Sequence, residues 1–206
     1  HEALQKIDPK GERHKITLSD RMITGDDTEQ GVLGHARARE IKKAIGSEKF
    51  EELHTIAFLR NPYSKLVSSY FFNKKNKLSQ VFGIKGKKNK LKRSVNSFLS
   101  ILTAKTLPFQ LWAFIYPYRS NVSYVTDYDG TLIVKHLGRT EYLNEDFHKI
   151  MNHLNINAVH IQVGKENTSK HKSYGYYFKS EWFKNKMYLK MKTDIDLYNS
   201  ICKKMN

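Results

Sequence analysis

Residues 55–72 read TIAFLRNPYSKLVSSYFF, and this stretch decides the predicted fold. Its first five residues form a short apolar run that is typical of a buried strand in a parallel sheet. Asn61 and Pro62 then indicate a helix start, because asparagine is a good N-cap and proline fits the first helical turn. The predicted helix covers residues 62–73 and carries apolar side chains at helical spacing. The stretch therefore predicts a strand–turn–helix unit with Arg60 at the end of the strand.

The signals on both sides of this unit alternate between helices and strands. Helices are predicted over residues 36–45 (closed by Gly46), 47–53 (with Ser47 as its cap), 94–103, 108–116, 143–155, 180–191 and 193–204. Further strands are predicted over residues 121–126 and 131–136, around the turn sequence DYDG, and over residues 158–163. Such alternation indicates an α/β domain with a central, mainly parallel sheet flanked by helices. A chain of 206 residues is expected to form a single domain.

Arg60 is the first candidate for binding an anion. Open α/β sheets bind their ligands at the carboxyl ends of the strands, which is where the predicted strand leaves this side chain. A guanidinium group offers phosphate a planar, permanently charged fork, and the helix start adds free N–H groups and a positive dipole end. Ser64, Ser68 and Ser69 add hydroxyl groups within two turns. The alternative is that Arg60 forms an ordinary surface ion pair at the end of a strand.

Positive charge is concentrated in the middle of the chain. The net charge is +16, and residues 53–126 contain thirteen Lys and Arg side chains but no Asp or Glu. Nine of the thirteen lie in residues 74–93, which also contain two glycines and are predicted to form a mobile basic loop. Such a charge favours an anionic partner. The loop is interpreted as a solvated insertion, as an electrostatic collar for an acidic glycan, or as the binding surface of a nonenzymatic polyanion or nucleic-acid binder.

The composition excludes several kinds of protein. The single cysteine, Cys202, excludes an intramolecular disulfide and a cysteine-based zinc site. It also favours a reducing compartment, the cytoplasm of a bacterial-type cell, over the Golgi lumen. No run approaches 18 consecutive apolar residues, so the sequence predicts no membrane span.

The segment R-N-P-Y-x-x-L-V-S-x-Y-F at residues 60–71 resembles a known motif. It is similar to the 3′-phosphate-binding motif of carbohydrate sulfotransferases that use 3′-phosphoadenosine 5′-phosphosulfate (PAPS), in the heparan 2-O and chondroitin/HNK-1 branch. The resemblance implies that Arg60 and Ser68 bind the 3′-phosphate of PAPS and of the product PAP. It also implies a P-loop-like sulfotransferase fold and transfer of a sulfuryl group to a hydroxyl of an acceptor, a glycan, without a metal and without a nucleic-acid partner.

Other segments resemble this family in the same order along the chain, over about residues 31–200. Residues 34–38, GHARA, are similar to the segment that holds the proposed catalytic base, which implies this role for His35. A histidine suits the role because its ordinary pKa is about 6.5. Residues 138–147, GRTEYLNEDF, are similar to a G-R-x-E-x-L-x-x-D-F segment. Cofactor contact is also implied for residues of a polar loop that resembles the one closing over the nucleotide: Asn167, Thr168 and Ser169.

One motif of this family does not occur in residues 1–206. Members carry a K-x-G-x-[ST] turn that binds the 5′-phosphosulfate and supplies a catalytic lysine, and the sequence contains no such pattern. Residues 1–7, HEALQKI, resemble the helix that follows this turn. We therefore expect the motif directly upstream of residue 1. The alternative is an inactive sulfotransferase-like module that keeps nucleotide binding only.

Overall fold

The computed structural model describes residues 16–18, 21–23, 36–76, 88–163 and 171–205. These residues form a mixed α/β structure that is mainly helical. The strands are β1 (Ile16–Leu18), β2 (Arg21–Ile23), β3 (Ile56–Leu59) and β4 (His136–Arg139). The helices are α1 (Ala38–Ile45), α2 (Ser47–Glu52), α3 (Pro62–Lys75), α4 (Lys88–Thr106), α5 (Phe109–Ile115), α6 (Val122–Val125), α7 (Leu143–His153), α8 (Tyr174–Tyr177) and α9 (Glu181–Met205). A 3₁₀ turn at Thr140–Tyr142 joins β4 to α7.

The described strands form two small sheets. β3 and β4 pair in parallel, with Ile56 opposite His136 and Leu59 opposite Arg139. β1 and β2 pair antiparallel. The predicted parallel strand after Thr55 is confirmed, and so are the α/β class and the helix that starts at Pro62. The parallel sheet of the described residues has two strands rather than the larger central sheet that the sequence predicts.

The chain divides into two compact units, although its sequence carries no linker signal at the boundary. The first unit takes the residues up to Arg60, then 120–165 and 196–206. The second takes residues 61–119 and 166–195. The first boundary falls between Arg60 and Asn61, inside the predicted strand–turn–helix unit.

The core of the first unit is built around the β3–β4 pair. Leu59, Phe50 and Val125 are buried in one apolar cluster with the C-terminal part of α9. A second cluster is centred on α7, where Phe147 and Met151 are buried. Parallel strands need apolar cover on their faces, and these clusters provide it.

The core of the second unit is rich in aromatic side chains. Trp112 is fully buried, stacks on Tyr116 at a ring distance of 4.1 Å, and contacts Tyr70 edge-on at 5.3 Å. Phe109 and Phe183 pack edge to face in the same cluster at 5.9 Å. Tyr70 of α3 and Phe109 and Trp112 of α5 are thus core residues, whereas Phe72 and Phe114 of the same helices are exposed.

The predicted strand over residues 121–126 is wrong, because Val122–Val125 form a helical turn. Ser120 Oγ accepts a hydrogen bond from Val122 N at 3.1 Å, and Thr126 Oγ1 donates to Val122 O at 2.9 Å. These local side-chain bonds favour the turn over an extended strand. Thr126 and Leu132 still form one antiparallel bridge around the DYDG turn.

The strand predicted over residues 158–163 is also wrong. Ile161 N donates to Ala158 O at 2.9 Å, which closes a turn. Both residues are buried, so the apolar positions repeat every three residues here and not every two.

The C-terminal helices and the basic segment are closer to their predicted structures than the two wrong strands are. The predicted break near residue 192 is present as a non-helical backbone at Met191 within α9. The predicted basic loop at residues 74–93 has helix at both ends, since α3 runs to Lys75 and α4 begins at Lys88. The Lys, Leu and Arg side chains at these ends are good helix formers. Residues 77–87 of that loop lie outside the described residues.

Candidate functional site

Arg60 directly follows the carboxyl end of β3. The pairing places Leu59 opposite Arg139, so the two parallel strands end together. Arg60 is half-buried, and its carbonyl oxygen accepts a hydrogen bond from Asn121 Nδ2 at 3.1 Å. Its backbone is therefore held within the first unit, at the sheet edge where α/β proteins bind ligands.

The start of α3 is closed by its own cap. Asn61 Oδ1 accepts from Tyr63 N at 3.0 Å and from Ser64 N at 3.2 Å, while Asn61 O accepts from Lys65 N at 2.8 Å. Pro62 has no N–H to offer. The sequence predicts free N–H groups for an anion at this turn, and this prediction is wrong because the cap uses them. An anion here is left with the helix dipole and with side chains.

α3 buries one face in the core of the second unit and leaves Ser64 and Ser68 outside that face. Ser64 and Ser68 are one helical turn apart on the same face and are half-buried. Leu66, Val67 and Tyr70 lie on the other face and are buried in the core of the second unit. The face with Ser68 is thus the one that is not used for core packing.

A buried polar cluster fastens the first turns of α3 within the second unit. Lys65 Nζ donates to Arg119 O at 2.6 Å and lies 5.2 Å from the centre of the Tyr118 ring. Tyr118 Oη donates to Asp194 Oδ2 at 2.5 Å, and Asp194 is buried. Burial lowers the pKa of Lys65, against the opposing charge of Asp194. Burial and the hydrogen bond to Asp194 raise the pKa of Tyr118.

No motif in the sequence predicts this cluster. Asp194 lies in α9, far along the chain from Lys65, and Lys65 occupies an unspecified position of the segment at residues 60–71. The faint signal is that Asp194 is an acidic residue at a helix position whose neighbours one turn away, Met191 and Tyr198, are apolar or aromatic. Such a carboxylate needs a buried partner.

Two of the six predicted site residues lie in the described part of the chain. Arg60 ends the first unit, and Ser68 belongs to α3 in the second. The proposed base His35 lies outside the described residues, and so do Asn167, Thr168 and Ser169. The predicted roles of these four residues stay predictions.

The segment GRTEYLNEDF at residues 138–147 holds the first unit together. Arg139 Nε and an Nη atom donate to the two carboxylate oxygens of Asp146 at 2.9 and 2.8 Å, and Arg139 N donates to Oδ2 at 2.7 Å. Both residues are buried, and the guanidinium lies 4.2 Å from the centre of the Tyr142 ring. Gly138 leaves no room for a side chain, because an added Cβ would lie 2.6 Å from a ring atom of Phe58. The role of this segment in the structure is therefore in folding.

The described ranges contain neither a metal-binding cluster nor a membrane-spanning helix. No group of three or more His, Cys, Asp or Glu side chains in them is arranged to bind a metal ion. None of the helices there has the length and the apolar character that crossing a bilayer requires.

Comparison of the chain with protein-family models, with curated proteins and with solved structures gave no match in any of the three, so the likeness to sulfotransferases rests on the residues quoted above.

Proposed function

We propose that the protein is a PAPS-dependent sulfotransferase that transfers a sulfuryl group to a hydroxyl of a carbohydrate acceptor. The observation that carries the proposal is the segment at residues 60–71, whose sequence resembles the family's 3′-phosphate motif. Its local structure supports the same interpretation, because Arg60 follows a parallel strand and Ser68 lies on the face of α3 away from the core. The proposal includes a P-loop-like sulfotransferase fold.

Arg60 and Ser68 bind the 3′-phosphate in this proposal. The arginine fork gives charge-assisted hydrogen bonds to phosphate oxygens, and the serine hydroxyl adds a neutral one. Because Asn61 occupies the N–H groups at the start of α3, the side chains supply the hydrogen bonds. Asn167, Thr168 and Ser169 contact the nucleotide from the polar loop.

His35 acts as the general base. It takes the proton of the acceptor hydroxyl while that oxygen forms a bond to sulfur and the bond from sulfur to the phosphate oxygen of PAP breaks. Sulfuryl transfer resembles phosphoryl transfer in that positioning and electrostatics supply most of the rate. No metal takes part in the proposed reaction.

Calorimetric titration with PAP tests the cofactor site. Arg60→Ala is expected to weaken PAP binding by about tenfold to a hundredfold, the usual worth of a charge-assisted hydrogen bond. Ser68→Ala is expected to weaken it less. Arg39→Ala, which removes the same charge from α1, and Ser97→Ala, which removes an exposed hydroxyl from α4, are the matched controls and should leave binding unchanged.

Transfer of labelled sulfate from PAPS to a panel of glycans tests the reaction. His35→Ala should nearly abolish turnover and keep most of the PAP affinity. PAP binding without any turnover in the wild type would instead favour the inactive module. Salt-sensitive binding of heparin or oligonucleotides that survives Arg60→Ala and Ser68→Ala, with no PAP binding, would favour the polyanion binder.

A further inference from the structure

A group of basic side chains lines a cavity of about 390 Å³ in the first unit. The cavity lies at the amino end of β4, against α7 and the last turns of α9. Its volume is in the range of pockets that take small molecules. Its basic lining consists of Lys135, His136, Lys149, His153 and Lys204.

The charge of this lining is only partly neutralised. Lys149 Nζ pairs with Glu145 at 3.2 Å and donates to Met205 O at 2.5 Å. Lys135 donates to the backbone carbonyl of Glu51, a contact that leaves its charge in place. No carboxylate among the described residues lines the cavity. The lining therefore carries a positive field with little to offset it.

His136 makes this field depend on pH. The ring of His136 lies 5.9 Å from that of His54 and 5.8 Å from that of His153. Burial lowers the pKa of His136, and the neighbouring His153, His54 and Lys135 act in the same direction. A bound anion acts in the opposite direction, because it favours the protonated imidazole.

Apart from Ser200, the rest of the lining is apolar. Leu132, which is exposed, and Leu137 contribute to it, beside Ile150 and Ile201, which are buried in the two clusters of the first unit. A bare inorganic ion would leave this surface unused. A ligand with an apolar body removes it from water, at about 25 cal/mol for each Å² buried.

We propose that this cavity binds a small organic oxyanion, a carboxylate, sulfate or phosphate group carried on an apolar body. The lysines and histidines bind the oxyanion, and the aliphatic side chains pack on the body. Arg60 follows the carboxyl end of β3, whereas the cavity lies at the amino end of β4. The four residues of each strand span about 13 Å, so the cavity and Arg60 lie at opposite ends of the strand pair. The proposal does not rest on the sulfotransferase assignment.

The test uses 1-naphthalenesulfonate as the probe and the full chain as the protein. Calorimetry should detect binding that tightens at least threefold between pH 8 and pH 6, because bound anion and protonated His136 stabilise each other. The neutral analogue 1-naphthalenemethanol and inorganic sulfate should each bind at least tenfold more weakly. Equal affinity for the neutral analogue, or for inorganic sulfate, would overturn the proposal.

Two neighbouring lysines give a matched pair of variants. Lys204→Gln should weaken probe binding by about twofold to fivefold, as expected for a partly exposed charge pair. Lys203→Gln removes the same charge one residue away, outside the cavity lining, and should have no effect. In NMR titrations the probe should raise the pKa of His136 and leave the ring signals of the exposed His160 in place. An unmoved His136, or equal effects of the two lysine variants, would also overturn the proposal.

Discussion

Two arginines close the same edge of the β3–β4 pair in opposite ways. Arg139 is the last residue of β4 and is 4% exposed. Its Nε and one Nη atom donate hydrogen bonds to the two carboxylate oxygens of Asp146. Arg60 is the first residue after β3 and is half-buried, in a part of the sequence without any carboxylate from residue 53 to residue 126.

The partners of the two arginines distinguish a structural arginine from a candidate ligand-binding one. Arg139 has a carboxylate partner seven residues further along, and that partner is fully buried with it. A buried ion pair is costly to break because it leaves an uncompensated charge. Arg60 stands in a segment that provides cations and hydroxyls, which suits an anion brought from outside. Substitution of Arg139 should therefore lower the stability of the fold, whereas substitution of Arg60 should lower the affinity for PAP.

The largest expected effect is on the structural arginine. Asp146→Ala should lower the free energy of unfolding by about 3–5 kcal/mol, because it leaves the buried Arg139 charge uncompensated. Urea denaturation at pH 7 measures this change. Glu145→Ala is the matched control, since it removes an exposed carboxylate from the same helix and should cost about 0.5 kcal/mol or less. A loss no larger than that of the control would mean that the pair of Arg139 and Asp146 does not stabilise the fold.

Exchanging each arginine for lysine keeps the positive charge and removes only the planar guanidinium. Arg139→Lys keeps the charge but loses the two-pronged contact, so it should cost about 1–3 kcal/mol of stability. Arg60→Lys should change stability by about 0.5 kcal/mol or less and lower PAP affinity about tenfold. Denaturation and PAP calorimetry on both variants are the measurements. If both variants lost stability equally, Arg60 would be a structural residue as well.

The pH dependence of stability gives a smaller and independent test of the structural pair. Burial alone would raise the pKa of Asp146, but the hydrogen bonds and the charge of Arg139 outweigh it and hold the pKa below its ordinary value. A depressed folded-state pKa means that the stabilisation is present above the unfolded value of about 3.9 and is lost as the pH falls through the folded-state pKa. The stability gap between wild type and Asp146→Asn should therefore be constant from pH 7 to pH 5 and narrow below pH 4. If the difference in unfolding free energy widened below pH 4, the pKa of Asp146 would not be lowered in the folded state.

Local signals explain what the sequence predicts correctly. Asn61 and Pro62 specify the start of α3 by short-range chemistry, and the structure shows the predicted cap at 3.0 and 3.2 Å. The apolar run before Arg60 is a parallel strand, as its composition indicates. In both cases the deciding contacts lie within a few residues or follow from burial of a whole segment.

Long-range contacts and competing local contacts explain the structural features that the sequence does not predict. Lys190 Nζ closes the end of α5 by donating to the carbonyls of Ala113, Phe114 and Tyr116 at 2.7–2.8 Å, and no local signal marks this contact. The Ser120 and Thr126 side chains turn a strand-like sequence into a helical turn. At the proposed site the sequence predicts both an Asn61 cap and free N–H groups, and the structure shows that the cap takes these donors.

The smallest expected effect concerns that cap, and it separates folding from binding at a single residue. Asn61→Asp keeps a side-chain acceptor for Tyr63 N and Ser64 N, and Asp and Asn are about equally good N-caps. Stability should therefore stay within about 0.5 kcal/mol of the wild type, whereas Asn61→Ala should lose about 1 kcal/mol. The new carboxylate stands next to Arg60, so PAP affinity should fall about threefold to tenfold. Asn96→Asp adds the same charge on an exposed face of α4 and should leave affinity unchanged. If Asn61→Asp bound PAP as well as the wild type does, the start of α3 would not face the phosphate, and Arg60 would have to be explained as Arg139 is.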